Sequence, residues 1–199
     1  VYGRGYFLAN TFSGNTAHSW GGGICGGGIL VGNTISDNSS SNLGGGMFGD
    51  GTIESNLFSG NTAVVGGGLV LEGSGAVLTD NTFISNTAQA GGGLVVKDLP
   101  AVLAANKVFS NLAQHYGGGI VVDHAGPVTL VNNGITDNQA GLDGCALYVE
   151  NSTLRLLHNT IANNAGRGAA IYVGASPPQC GSVFMTNTIL VSHTVGITV

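Results

Sequence analysis

Five charged side chains recur at nearly even intervals in this sequence. Asp50, Glu72, Lys97, Asp123 and Glu150 each stand four residues past a run of three small residues. Carboxylates in such an arrangement are the working groups of glycosidic-bond chemistry. One acid protonates a leaving oxygen while a second carboxylate attacks or activates water, and eliminating enzymes add Ca²⁺ or a basic residue to a carboxylate cluster. If the spacing stacks these positions, Asp123 and Glu150 lie ~5 Å apart, near the separation of a retaining pair, with His124 and Asp98 beside them. The competing reading is structural and is the stronger one. A chain with only 8% charged residues places its few charges where strands end and meet solvent, and Lys97 between Glu72 and Asp123 relieves like-charge repulsion. The expectation is therefore no catalytic residue, no cofactor and no metal.

The remaining reactive residue types do not assemble into a motif. The five histidines, His18, His115, His124, His158 and His193, show neither HxH nor HExxH spacing. Cys25, Cys145 and Cys180 match no metal spacing, and their odd number leaves at least one unpaired within the chain. The glycine triplets are not phosphate loops, because no GK[ST] follows them. Five Lys and Arg in 199 residues, at a net charge of -5, cannot make the basic footprint that a phosphate backbone demands, so nucleic acid is not an expected partner. Every apolar run is broken long before the ~20 residues of a membrane-spanning helix. The sequence lacks an initiator Met and opens and closes in the middle of its own pattern, which reads as a piece of a longer or processed protein.

What positions the charges is a repeat. Asn-x4-Asn recurs as Asn10/Asn15, Asn33/Asn38, Asn56/Asn61, Asn81/Asn86, Asn106/Asn111, Asn133/Asn138 and Asn159/Asn164, with Asn187/Ser192 as a degraded eighth copy. Between these blocks stand GGGI, GGGM, GGGL, GGGL, GGGI, GCAL and GAAI, so two markers alternate at a period of 22–28 residues. Units made of Gly, Asn, Thr, Ser and β-branched residues do not form helices. Each reads as three short strands, one after the triplet, one before the first Asn and one between the two Asn, with corners of residues that tolerate left-handed backbone angles. The expected fold is all-β, a single-stranded right-handed parallel β-helix of about eight coils filling 1–199, a rod of roughly 38 Å.

Stacking turns each sequence position into a column. Phe12, Ile35, Phe58, Phe83, Val108, Ile135, Ile161 and Ile189 are apolar and read as inward, as do Ile24, Met47, Leu69, Leu94, Ile120, Leu147 and Ile171. The asparagines fit side-chain amides that hydrogen-bond along the axis and satisfy corner backbone groups. Strand alternation aims Phe48, Val70, Val95, Val121, Tyr148 and Tyr172 outward, an apolar stripe that serves as a candidate binding surface unless loops cover it.

The FxxN tetrapeptides Phe12–Asn15, Phe58–Asn61 and Phe83–Asn86, relaxed at Ile35–Asn38 and Ile135–Asn138, alternate with the GG[GA][ILM] tetrapeptides. Together they resemble the chlamydial polymorphic outer-membrane protein repeats, which pair GGA[ILV] with FxxN. The third position departs from that pattern: it is Gly in the first five copies and Ala only at Ala146 and Ala170. The resemblance covers almost the entire chain and implies a β-helical passenger of a secreted, surface-displayed adhesin. The expected function is an extracellular or cell-surface structural or adhesive β-helix, whose partner is a protein or glycan on a surface, or a second copy of the chain meeting it end to end. The alternative is a polysaccharide-active enzyme of the pectate-lyase-like or glycoside hydrolase kind, which the same fold resembles and which needs the acidic face to form a cleft.

Overall fold

The computed structural model describes residues 1–174 and 181–199, and Cys180 lies outside them. Among the described residues no helix interrupts the strands, and every strand pair is parallel, joining a residue to its counterpart one repeat later. The chain is a β-solenoid of about eight turns. An eight-stranded sheet is built from the segments between the paired asparagines, from Thr11–Ser13 to Ile189–Val191. The strands after the glycine triplets and before the first asparagines share a fourteen-stranded sheet, because in Met47–Glu54 and Leu69–Thr79 the two arms run together as one strand.

A fourth ladder follows the second asparagine of each block, a feature that sequence reading missed. Thr87–Ala90, Leu112–Tyr116, Gln139–Ala140 and Ala165–Gly166 form a four-stranded sheet, and Thr16–Ala17 pairs with Ser39–Ser40. Its inward residues are small. Ala113, Ala140 and Cys145 form their own buried cluster against the glycine corner, so no large apolar residue announces the strand.

Two further ladders hold the corners. Each ladder asparagine from Asn33 to Asn164 uses its Oδ1 to accept the backbone N–H and the side-chain Nδ2–H of the asparagine one coil earlier, as Asn111 does from Asn86 at 3.0 Å each. Its own Nδ2 also donates backward to a carbonyl of the preceding coil, Asn86 to Phe58 at 3.0 Å. The residue just before each asparagine is left-handed whatever its type, with φ of 56° at Ala105, 55° at Ser85 and 57° at His158. Ladder asparagines from Asn33 to Asn164 are buried, while Asn10 and Asn15 in the first coil are exposed.

The eighth coil is displaced by one residue from the expected alignment. Asn187 and Ser192 occupy the left-handed positions, with φ of 47° and 60°. Thr188 and His193 take the rungs, accepting the N–H of Asn159 and of Asn164 at 3.4 and 3.3 Å. The inward residue opposite Ile161 is consequently Leu190, and Ile189 is 54% exposed. Asn suits both a rung and a left-handed corner, which is why position 187 reads as a rung in sequence.

The interior is one apolar column. Ile24, Met47, Leu69, Leu94, Ile120, Leu147 and Ile171 are fully buried, and Phe58 and Phe83 stack across it with ring centroids 4.7 Å apart.

Candidate functional site

The glycine triplet makes the outer surface concave. Its first glycine is left-handed, φ +67° at Gly66, and a Cβ there would meet Val70 Cγ2 at 2.3 Å. A Cβ on the second, Gly67, would sit 2.6 Å from the carbonyl oxygens of Gly92 and Thr87 in the next coil. In this coil the absence of side chains is what lets the corner turn so tightly against its neighbours. The turn folds the residue before the triplet back over the strand that follows it. Trp20, Leu43, Val65, Ala90 and Tyr116 stack in register as a wall. Sequence reading did not single out this column, although its members share one signal, their place before the triplet.

That wall corrects the expectation of an exposed stripe. Val70, Val95 and Val121 are 0, 2 and 7% exposed and form a second apolar cluster with Leu43, Phe48, Val65 and Tyr148. Phe48, Tyr148 and Tyr172 are half-buried. The stripe points away from the core, as alternation requires, but becomes the floor of a groove rather than a ridge. Two clefts open along it. One of about 370 Å³ lies between Trp20, Phe48 and Asp50, and one of about 350 Å³ runs over Val95 and Val121 between Tyr116 and the charged column. The walls of these clefts come from the corners and not from long loops.

Aromatic rings line both clefts. Trp20 stacks on Phe48 at 5.6 Å, Tyr116 meets Tyr148 at 4.9 Å with a 40° tilt, and Tyr148 stacks on Tyr172 at 4.9 Å. Burial, reinforced by the neighbouring Glu150, drives the Tyr148 hydroxyl well above the usual phenol range, and it donates to Glu150 Oε2 at 2.9 Å.

Of the charged column, the strands bring Lys97, Asp123 and Glu150 into direct register. Each is engaged: Lys97 Nζ lies 3.4 Å from Asp98 and 4.0 Å from Glu72, Asp123 Oδ1 lies 2.6 Å from His124 Nδ1, and Glu150 accepts the Tyr148 hydroxyl. His124 in turn lies 3.0 Å from Asn151 Nδ2. The ion-paired members have side-chain exposures of 32–51%. Asp50 leaves the row, because the register shifts between Leu71 and Ala76 where its strand meets the next. It is buried, pairs with Arg4 and accepts the Ser74 N–H at 3.0 Å and hydroxyl at 3.1 Å. Burial pushes the Asp50 carboxyl up, but the two Ser74 hydrogen bonds and the Arg4 charge together outweigh it and hold the group below its ordinary value. Gly27 is the window for this pair: a Cβ there would lie 2.5 Å from Asp50 Oδ1.

Among the described residues no three His, Cys, Asp or Glu side chains gather as a metal site would require. Cys25 is a half-buried free thiol and Cys145 a buried one. Among the described residues no helix is long and apolar enough to cross a membrane.

Residues 11–27 match the Chlamydia polymorphic membrane protein repeat, in agreement with the alternating FxxN and glycine tetrapeptides. No curated protein and no solved structure matches the chain. Residues 89–199 match the right handed beta helix region, more than half of the sequence, and their coils continue without a break into those before them; the chain belongs to the right-handed β-helix family.

Proposed function

We propose that this chain is an extracellular or cell-surface β-helix that serves as a structural and adhesive rod and not as a catalyst, with the post-glycine groove as its contact face. The observation that carries the reading is the groove itself. An apolar floor and half-open aromatics, Trp20 at 49% and Tyr116 at 37% exposure, run along the axis, while the carboxylates beside them are held by neighbours on the same chain. Contiguous apolar surface of this kind marks a place of contact. The repeat shared with polymorphic membrane proteins supports a surface location. The partner is a protein or glycan displayed on a surface, and no cofactor is required.

Attachment of the labelled chain to immobilised cells and glycan-coated surfaces tests this, with Tyr116→Lys and Trp20→Lys placing charge in the groove. Attachment lost in both variants supports the contact face. A parallel screen for reducing ends and unsaturated products on acidic and neutral polysaccharides, with and without Ca²⁺, should find none. Turnover abolished by Asp123→Asn would establish the enzymatic alternative.

Self-association belongs to the same proposal. The first coil exposes Tyr6 and Leu8, and the last exposes Ile189, Val191 and Val199, beside strand edges that can template pairing. In the isolated chain, light scattering should show concentration-dependent growth that Ile197→Lys with Val199→Lys suppresses; a strictly monomeric chain at high concentration contradicts this part.

A further inference from the structure

We infer that the cleft over Val95 and Val121 receives an extended basic polypeptide segment whose alternate residues are aliphatic. This rests on the groove being the contact face, and it names the occupant.

Charge gives the first argument. Two carboxylates, Asp123 and Glu150, line this cleft with a single ammonium, Lys97, which two further carboxylates, Glu72 and Asp98, approach to 4.0 and 3.4 Å. An anionic polymer is repelled by such a rim, and a cationic one is drawn in and held in register. The same sum disfavours a second copy of the chain, which carries a net charge of -5 and only five Lys and Arg to offer.

Ring geometry gives the second. Sugars bind aromatic residues by lying flat on a ring face. Here Tyr148 is stacked on Tyr172 at 4.9 Å and 9° and packed against Tyr116 at 4.9 Å and 40°, so its ring is already engaged by two others and the floor beside it is aliphatic, Val95 and Val121. Those surfaces take methyl-bearing side chains in preference to a sugar plane.

Dimension gives the third. The cleft wall and floor run from Leu43 to Tyr148, four coil steps at ~4.8 Å each, or roughly 19 Å. An extended peptide rises ~3.3 Å per residue, so about six residues span it, with alternate side chains entering the cleft and the others reaching the rim. The recognition mode is an apolar row with flanking cations, read along the long axis of the solenoid.

The test uses the intact chain and fluorescence anisotropy of labelled six-residue probes. Alternating Val-Lys should bind, with affinity falling as salt rises. Gly-Lys, which keeps the charge and loses the aliphatic row, should bind at least tenfold more weakly, and Val-Glu should not bind. Asp123→Lys, an open rim position, should weaken Val-Lys roughly tenfold or more, and Lys97→Gln should strengthen it, each variant first shown to keep its β circular dichroism and melting curve. Equal binding of Val-Lys and Val-Glu, an unchanged affinity in Asp123→Lys, or binding of a neutral β-glucan oligosaccharide with none of Val-Lys would each overturn the inference. The surface-attachment assay separates this from the broader reading. If Tyr116→Lys abolishes attachment while no peptide binds, the basic occupant is wrong and the contact face stands; if attachment survives every groove variant, the contact face falls as well.

Discussion

Asn86 is completely buried, and its side-chain amide is saturated: the oxygen accepts two N–H groups of Asn61, and the nitrogen donates to Phe58 and Asn111. Asn86→Ala leaves the Asn61 N–H and the Phe58 carbonyl short of partners in a dry interior, at about 1–3 kcal/mol for each buried group so orphaned. A loss of about 3 kcal/mol is expected in urea unfolding. Asn86→Asp retains the acceptor but puts a carboxylate where donors are needed and should be at least as damaging. A loss below half a kcal/mol in both would show that the amide column does not stabilise the rod. The eighth coil offers a titratable version of the same rung. His193 Nε2 faces two donors, the N–H and Nδ2–H of Asn164, both at 3.3 Å, while its Nδ1 is buried with no partner among the described residues. Only the neutral ring can accept there, and burial lowers its pKa from 6.5. The unfolded chain therefore binds the proton more readily than the folded one. The contribution of this rung is whole above about pH 6.5 and is lost as pH falls below it. Melting of the last coil, followed by hydrogen exchange at Asn164, should accelerate in that window, and His193→Asn should flatten the dependence.

Each coil turns its corners on left-handed residues ahead of the ladder asparagines, and these vary among Gly, Ala, Ser, Asp, Asn and His. Backbone angles of this kind cost an L-residue roughly 1–2 kcal/mol. Ala105, exposed and at φ 56°, has no side chain worth keeping. Ala105→Gly should stabilise by about 0.5–1 kcal/mol, the relieved strain less the added freedom of the unfolded chain, visible as a higher melting temperature; a lower one would mean that the corner is not strained. The same elements explain what could be read in advance. The inward columns and the paired asparagines were legible because each position admits one chemical type. The corners were not, since a conformation rather than a side chain is being selected. The fourth ladder hid behind alanines, and the shift in the last coil hid behind an asparagine that fits either role. For the site, the stripe of Phe48, Val70, Val95, Val121, Tyr148 and Tyr172 was visible as a column, but its burial was not. What covers it is a second column at another phase of the repeat, and the two meet only because three glycines let the chain double back. The departure of Asp50 from the charged row depends on a register shift that no spacing reveals.

At the scale of the molecule, stability is a sum over coils and the faces between them, so length should be editable in whole units. Deleting residues 81–105 removes one coil and brings Asn106 to the place of Asn81, preserving the 25-residue step from Asn56. The shortened chain should fold and melt cooperatively at a somewhat lower temperature. Deleting residues 81–92 breaks the register of every column at once and should leave no cooperative transition in circular dichroism. A half-coil deletion that folds as well as the whole-coil one would refute nearest-neighbour stacking. The amide columns carry one more consequence. In each asparagine rung from Asn33 to Asn164 the oxygen faces the N-terminal side, taking hydrogens from the coil before it. Amide dipoles of about 3.5 D each therefore add in one direction instead of cancelling as they do in an ordinary sheet. The rod is vectorial: it carries a partial negative pole at its first coil and a positive one at its last, so rods lying side by side lower their energy by alternating in direction, and rods meeting end to end do so only in the same sense.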